Sequence, residues 1–245
     1  MIDFPPADLD LFLALAACLA AGMVRGFAGF GTSLILMSAV SALYTPALAL
    51  PLMILTDAVG TVPLLPRAFR RANWGEVVPM VLMAGVCLPI GVWVLVSVDQ
   101  DVMADVIAVL VLVATLLLAS GWRYRGSPRL PVTLSVGAFS GFINGTAGLG
   151  APPITLFWLA GQSAVETVRA NMFTFFALLN IVSIPTMALN GLLTPLVFGM
   201  TLAAIPLYAL GLQIGQALFD RSSELFFRRI AFTVILAIAL VSFLA

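Results

Sequence analysis

Two glycine-rich stretches interrupt long apolar sequence at matching places. They read GMVRGFAGFG at 22–31 and GFINGTAGLG at 141–150, and their four glycines are related by a constant offset of 119 residues. Glycine at a helix break allows positive φ and lets the backbone approach a ligand closely. The helices that restart near Gly31 and Gly150 would each present free N–H groups and the positive end of the helix dipole. Two such ends that meet would bind an anion without a charged side chain.

Polar side chains near the two breaks extend this candidate site. Arg25 adjoins the first break, where its forked guanidinium would hold an anionic head group; alternatively, it caps backbone carbonyls or reaches an interface. Asp57 lies near the centre of the next apolar run and either carries a coupling proton or pairs with Arg25. The predicted substrate-binding residues are Arg25, Gly29, Gly31, Thr32, Ser33, Asn144, Thr146, Gly148, Gly150, Arg169 and Asn171, and Asp57 is the candidate for proton coupling.

Some of these residues have a simpler explanation. Glycines four apart, as in Gly22-xxx-Gly26 and Gly141-xxx-Gly145, also allow two membrane helices to pack closely. Arg169 and Asn171 begin the span after the second break, where they would form a gate or contact substrate, but Arg169 also fits an ordinary interfacial arginine. The matched spacing of all four glycines favours a functional break over packing alone.

The composition defines the solvent of this protein. Its 245 residues are 62% hydrophobic and 9% charged, with a mean hydropathy of +1.16. Soluble domains carry about 25% charged residues, so we predict a polytopic membrane protein with the lipid bilayer as its solvent. The arginines fall in short loops, so we expect no nucleic-acid partner. The chain has no histidine, which excludes His-ligated metals and Ser-His or Cys-His catalytic pairs. We therefore expect no cofactor or metal and no enzymatic activity.

The apolar runs predict two repeats of one plan. The first repeat, 1–122, has a hairpin at about 11–43 and spans at about 45–66, 77–98 and 102–122. A polar linker covers 123–129. The second repeat, 130–245, has a hairpin at about 130–160 and spans at about 168–189, 192–219 and 224–245.

Charge decides between two topologies for the broken runs. If each run crosses the membrane as one kinked helix, Arg221 falls on the side opposite to Arg67–Arg71 and Arg123–Arg129. If each run is a re-entrant hairpin with limbs of about 15 residues, roughly 22 Å long, all three arginine groups share one side. Because arginine-rich loops prefer the cytoplasm, the hairpin topology is favoured, with both termini outside. The fold class is then an all-α polytopic membrane protein of two inverted repeats, each a glycine-broken re-entrant hairpin plus three transmembrane helices.

The segments GFAGFGTSLIL and GTAGLGAPPITL, placed in two repeats around a polar linker, resemble the TauE/SafE sulfite exporter family across essentially the whole chain. The family's run of three or more glycines followed by proline is interrupted here by Phe30 and Leu149, and no proline closely follows Gly31. The resemblance implies transport of a small sulfur-containing anion, such as sulfite or an organosulfonate, generally outward, across the bacterial inner membrane.

These observations predict a secondary transporter that alternates access around a midplane site formed by the two broken-helix tips. Its partners would be a small anionic substrate and a proton or other ion gradient, and the chain is a candidate homo-oligomer. An anion channel, or a polytopic membrane enzyme or assembly factor without transport activity, remains the alternative.

Overall fold

The computed structural model describes residues 8–120, 129–160 and 164–220, with side chains at all of them except 118, 119 and 160. This part of the chain is helical. The helices, in chain order, are α1 Leu9–Ala28, α2 Thr32–Leu43, α3 Pro46–Thr61, a 3-10 turn Val62–Leu64, α4 Leu65–Arg71, α5 Trp74–Ser97, α6 Gln100–Ala119, α7 Leu130–Ala147, α8 Ala151–Ala160, α9 Val165–Leu189 and α10 Pro195–Asp220. The predicted last span and all of the predicted linker except Arg129 lie outside the described residues.

Six of the described segments are long and apolar enough to cross a bilayer. They are α1, the run Pro46–Arg71 that includes α3 and α4, α5, α6 to Leu117, α9 and α10. The protein is therefore an all-α, multi-pass membrane protein. Five of these segments, all except α1, overlap apolar runs from which spans were predicted, and α1 overlaps the first part of the predicted first hairpin.

The chain reverses direction at both glycine-rich breaks. Gly29 ends α1 at φ 81° and Gly31 precedes α2 at φ 101°. Asp8 caps the start of α1. Just after α2, desolvation raises the pKa of the Tyr44 hydroxyl, and the negative charges of Asp8 and Asp10 raise it further. The start of α1 and the end of α2 therefore lie at the same end of the molecule. The limbs are unequal, with 20 and 12 residues, because α1 continues through Gly26 to Ala28.

The second break has the same form. Gly148 ends α7 at φ 70°, and α8 begins at Ala151. Ser140 lies on α7, about two turns before the break. Its buried hydroxyl donates a hydrogen bond of 2.7 Å to the Gly150 carbonyl, which follows the break. Pro152 and Pro153 fall in the first turn of α8, where a missing N–H costs no helical hydrogen bond.

The two hairpins run in opposite directions. Along α7, Gly137 lies against Met80 and Gly145 against Leu88, so α7 is parallel to α5. Just after α5, the Gln100 side chain accepts a hydrogen bond from the Ala47 amide and donates one to the Leu95 carbonyl. The last turn of α5 therefore lies at the same end of the molecule as the first turn of α3. That end also carries Asp8, Asp10, Asp99 and Asp101, and we call it the acidic end. Because α1 starts at the acidic end and α7 runs towards it, the two first limbs are antiparallel.

Close glycine contacts hold each first limb against a helix from the other half of the chain. A Cβ at Gly22 or Gly26 would collide with backbone atoms of α10, and one at Gly141 or Gly145 with backbone atoms of α5. In α10, Gly211 and Gly215 return the contact to α1. The helix-packing interpretation is therefore correct for Gly22, Gly26, Gly141 and Gly145. Only the later glycines of each stretch form the breaks.

Candidate functional site

The tips of the two hairpins meet at a cavity about halfway along α3 and α9. We call it the central cavity; its volume is about 30 Å³. It is lined by Arg25, Gly31, Thr32, Ser33, Met53, Ile54, Asp57, Asn144, Gly148, Ala151, Phe176 and Asn180. The tips converge here as expected from the sequence, and seven of the predicted site residues line one space.

A buried ion pair crosses this cavity. Arg25 Nε donates to Asp57 Oδ1 at 3.0 Å, and Arg25 Nη2 donates to Asp57 Oδ2 at 3.1 Å, in the forked geometry that guanidinium and carboxylate share. Arg25 is 3% exposed, so most of the pair is shielded from solvent. Arg25 Nη1 also donates to the Gly29 carbonyl at the end of α1. Arg25 therefore both pairs with Asp57 and caps the end of the broken helix, while anion binding by Arg25 and proton coupling by Asp57 stay predictions.

Tyr208 connects this ion pair to the start of α2. Its hydroxyl donates to Asp57 Oδ1 at 2.5 Å and lies 2.9 Å from the Thr32 hydroxyl, which acts as donor to it. The Tyr208 ring is fully buried and packs on Gly60, where a Cβ would collide with it. Asp57 is thus held by α1 through Arg25 and by α10 through Tyr208.

The two helix starts differ in the N–H donors they offer. No side chain caps the N-terminus of α2, and the Ser33 hydroxyl, 6% exposed, has no hydrogen-bond partner among the described residues. In α8, by contrast, Pro152 and Pro153 carry no N–H, so only Ala151 offers one in the first three positions. An anion in the central cavity would therefore find its backbone donors mainly at the first tip.

Several predicted site residues lie outside the lining of the central cavity. Gly29 and Gly150 shape the breaks behind it, and the Thr146 hydroxyl donates to the Phe142 carbonyl of its own helix. The Asn171 amide oxygen accepts a hydrogen bond of 2.7 Å from the Asn73 amide, so it anchors the start of α5. Arg169 lines a separate cavity described below.

Sequence analysis missed three contributors to this site. Tyr208, Phe173 and Phe176 contact the ion pair from α10 and α9, and the Arg25 guanidinium carbon lies 4.7 Å and 5.1 Å from the ring centroids of Phe173 and Phe176. A tyrosine within an apolar span was the available signal for Tyr208. The two phenylalanines carried none, since 17 phenylalanines are spread along this chain. Among the described residues, no cluster of acidic or cysteine side chains is suited to a metal ion.

A multi-pass helical protein whose two broken helices enclose a buried, ion-paired cavity has the architecture of a membrane transport protein. Comparison with protein families supports this class. A family model described as sulfite exporter TauE/SafE matches residues 14–242, nearly the whole chain, and the protein belongs to that family. The family implies a membrane transporter of sulfite or related anions. Neither the comparison with curated proteins nor that with solved structures found a match.

Proposed function

We propose that this protein is a secondary transporter that exports sulfite or a small organosulfonate through the central cavity. The observation that carries the proposal is the forked Arg25–Asp57 pair between the two helix breaks. A sulfur oxyanion presents two oxygens to a guanidinium much as a carboxylate does. The substrate would therefore replace Asp57 as the partner of Arg25, while the Ser33 hydroxyl and the free N–H groups of α2 hold its remaining oxygen.

Asp57 then becomes the coupling group. If the anion took Arg25 while Asp57 stayed ionised, two negative charges would share one positive charge in a buried space, at a high desolvation cost. A proton on Asp57 removes that cost. The groups that face its carboxyl are Arg25 of α1 and Tyr208 of α10, with Thr32 of α2 behind the tyrosine. We propose that one proton and one anion bind together and cross in the same direction, outward when the outward substrate gradient exceeds any inward proton gradient.

Alternating access would come from two inverted repeats. The antiparallel first limbs support this arrangement, and so does the reciprocal packing in which α1 contacts α10 and α7 contacts α5. A single water requires roughly 10–15 Å³ on the same measure, so the cavity of about 30 Å³ is too narrow for a solvated oxyanion. The tips would separate towards one end of the molecule at a time. We propose that the end with Arg67, Arg70 and Arg71 faces the cytoplasm of a bacterial inner membrane and that both termini lie outside.

Replacing Arg25 with alanine tests the proposal. Arg25→Ala should abolish saturable sulfite flux in proteoliposomes, because the anion loses the guanidinium that would hold it in the central cavity. The matched control is Arg70→Ala, an exposed arginine that lines neither cavity. Elution as a single species in size-exclusion chromatography establishes folding of both variants.

Full flux in folded Arg25→Ala would refute Arg25 as the anion ligand. Counterflow of labelled sulfite against its own gradient by the wild type distinguishes a carrier from the alternative of an anion channel. Single-channel currents without counterflow would overturn the carrier mechanism.

A further inference from the structure

A second cavity lies at the end of the molecule opposite to the acidic end. It is about 60 Å³ in volume and is lined by Leu64, Arg67, Ala68, Arg71, Glu166, Arg169, Ala170, Phe173, Gln216 and Phe219. We call it the arginine vestibule. It is formed by α4, the start of α9 and the end of α10. Arg169 contacts Gly29, so the cavity lies beside the first hairpin tip.

The charge of the vestibule is not neutralised by its own carboxylates. Arg67, Arg71 and Arg169 line it against the single carboxylate of Glu166. Asp220, at the end of α10, also acts electrostatically on Arg169 without lining the cavity. Among the described residues, no carboxylate oxygen lies within 4.0 Å of any of these three arginines, whereas Arg25 has Asp57 at 3.0 Å. The vestibule is therefore positive where the central cavity is balanced.

Arg169 has a buried donor that lacks an acceptor among the described residues. Its Nη2 donates to the Gly26 carbonyl, and its guanidinium stacks on Phe219 with 3.7 Å from the carbon to the ring centroid. Its buried Nε has no hydrogen-bond partner among the described residues. A buried guanidinium N–H without an acceptor is costly, and an oxyanion in the vestibule would supply the acceptor.

Phe173 lies between the arginines of the two cavities. Phe173, 5% exposed, lines the vestibule, and its ring lies 4.7 Å from the Arg25 guanidinium carbon and 5.9 Å from that of Arg169. Phe219, Arg169, Phe173, Arg25 and Phe176 thus form a continuous alternating stack from the vestibule to the central cavity. Displacing the Phe173 ring would connect the cavity lined by Arg169 with the cavity lined by Arg25.

We propose that the arginine vestibule is a second anion site, selective for small sulfur oxyanions, from which substrate reaches Arg25 past Phe173. The proposal rests on the transport function proposed above. It assigns Arg67, Arg71 and Arg169 to a first binding step that occurs outside the central cavity. An anion arriving there exchanges hydrating water for guanidinium donors before the hairpin tips open.

A cysteine-protection experiment tests the second site in the full-length protein in proteoliposomes. Cys18 and Cys87 are replaced with alanine, and Gln216→Cys places a reporter thiol in the vestibule lining. The rate of modification by an anionic thiosulfonate reagent is measured against increasing methanesulfonate, which carries the sulfonate group without reacting with thiols. The same titration is repeated with Arg25→Ala, with Arg67→Ala/Arg71→Ala and with Arg70→Ala as the matched control.

We expect methanesulfonate to protect the thiol equally well with and without Arg25. The half-protecting concentration should rise about fivefold in Arg67→Ala/Arg71→Ala, the scale of two partly exposed charge contacts, and should not change in Arg70→Ala. Loss of protection in Arg25→Ala, or equal shifts in the Arg70 and Arg67/Arg71 variants, would overturn the proposal. Saturable sulfite flux is a separate measurement, so protection without flux would refute the transport function and leave the second site standing.

Discussion

Asp57→Asn tests whether the protein's own carboxylate competes with substrate for Arg25. Asp57 accepts hydrogen bonds from Arg25 Nε at 3.0 Å, Arg25 Nη2 at 3.1 Å and the Tyr208 hydroxyl at 2.5 Å. Asparagine keeps one acceptor oxygen but turns an NH₂ donor towards groups that are themselves donors. Arg25 therefore loses its forked partner, while the cavity keeps nearly the same shape.

The size of the effect follows from these contacts. Hydrogen bonds to charged groups contribute about 1.5–3 kcal/mol, and each 1.4 kcal/mol corresponds to tenfold in affinity. We therefore expect the KM for sulfite to fall about tenfold to a hundredfold in Asp57→Asn. The maximal rate should fall as well, because a tightly held anion leaves slowly. The pH dependence of KM should fall to that of sulfite's own ionisation, since residue 57 no longer exchanges a proton.

The assay is flux of radiolabelled sulfite in proteoliposomes at several pH values. Asp101→Asn, on the exposed first turn of α6, is the matched control. Tyr208→Phe removes one of the three hydrogen bonds to Asp57 and should produce a smaller fall in KM. A folded Asp57→Asn protein with unchanged KM and unchanged pH dependence would refute both the competition and the coupling role.

Two further predictions concern the elements around the site. Gly26→Ala should lower the thermal stability, since its Cβ would collide with the Leu212 carbonyl and overpacking costs about 1–3 kcal/mol. The control is Gly75→Ala, whose Cβ would meet only the Asn73 side chain, at 3.4 Å. Equal melting temperatures of the two variants would contradict the close-packing role of Gly26. Phe173→Ala should join the two cavities and turn coupled transport into a leak, which would be measured as faster sulfite efflux with less counterflow. The control is Phe198→Ala, at a 44% exposed position. Intact counterflow in Phe173→Ala would show that Phe173 does not separate the sites.

The local features of this fold were predictable because each depends on residues close together in sequence. The apolar composition required lipid as the solvent, and the repeated glycines predicted helix breaks where Gly29, Gly31 and Gly148 have positive φ. Pro152 and Pro153 suit the first turn of a helix that restarts after a break, and α8 begins one residue before them. The offset of 119 residues paired the two breaks, and the expectation that their tips meet came from the hairpin topology that the arginine-rich loops favour.

The tertiary structure decided the contacts that no local spacing encodes. The sequence left open whether Arg25 and Asp57 pair, because 32 residues separate them and their distance is set by the packing of α1 and α3 against α2 and α10. The same packing divides the glycines into helix contacts at Gly22 and Gly26 and backbone breaks at Gly29 and Gly31. It also places Arg169 outside the central cavity and places Tyr208 beside Asp57, although 151 residues separate the two in sequence. In lipid, a polar side chain needs a partner wherever the fold can supply one, so the sequence determined which groups need partners and the helix packing determined which partners they have.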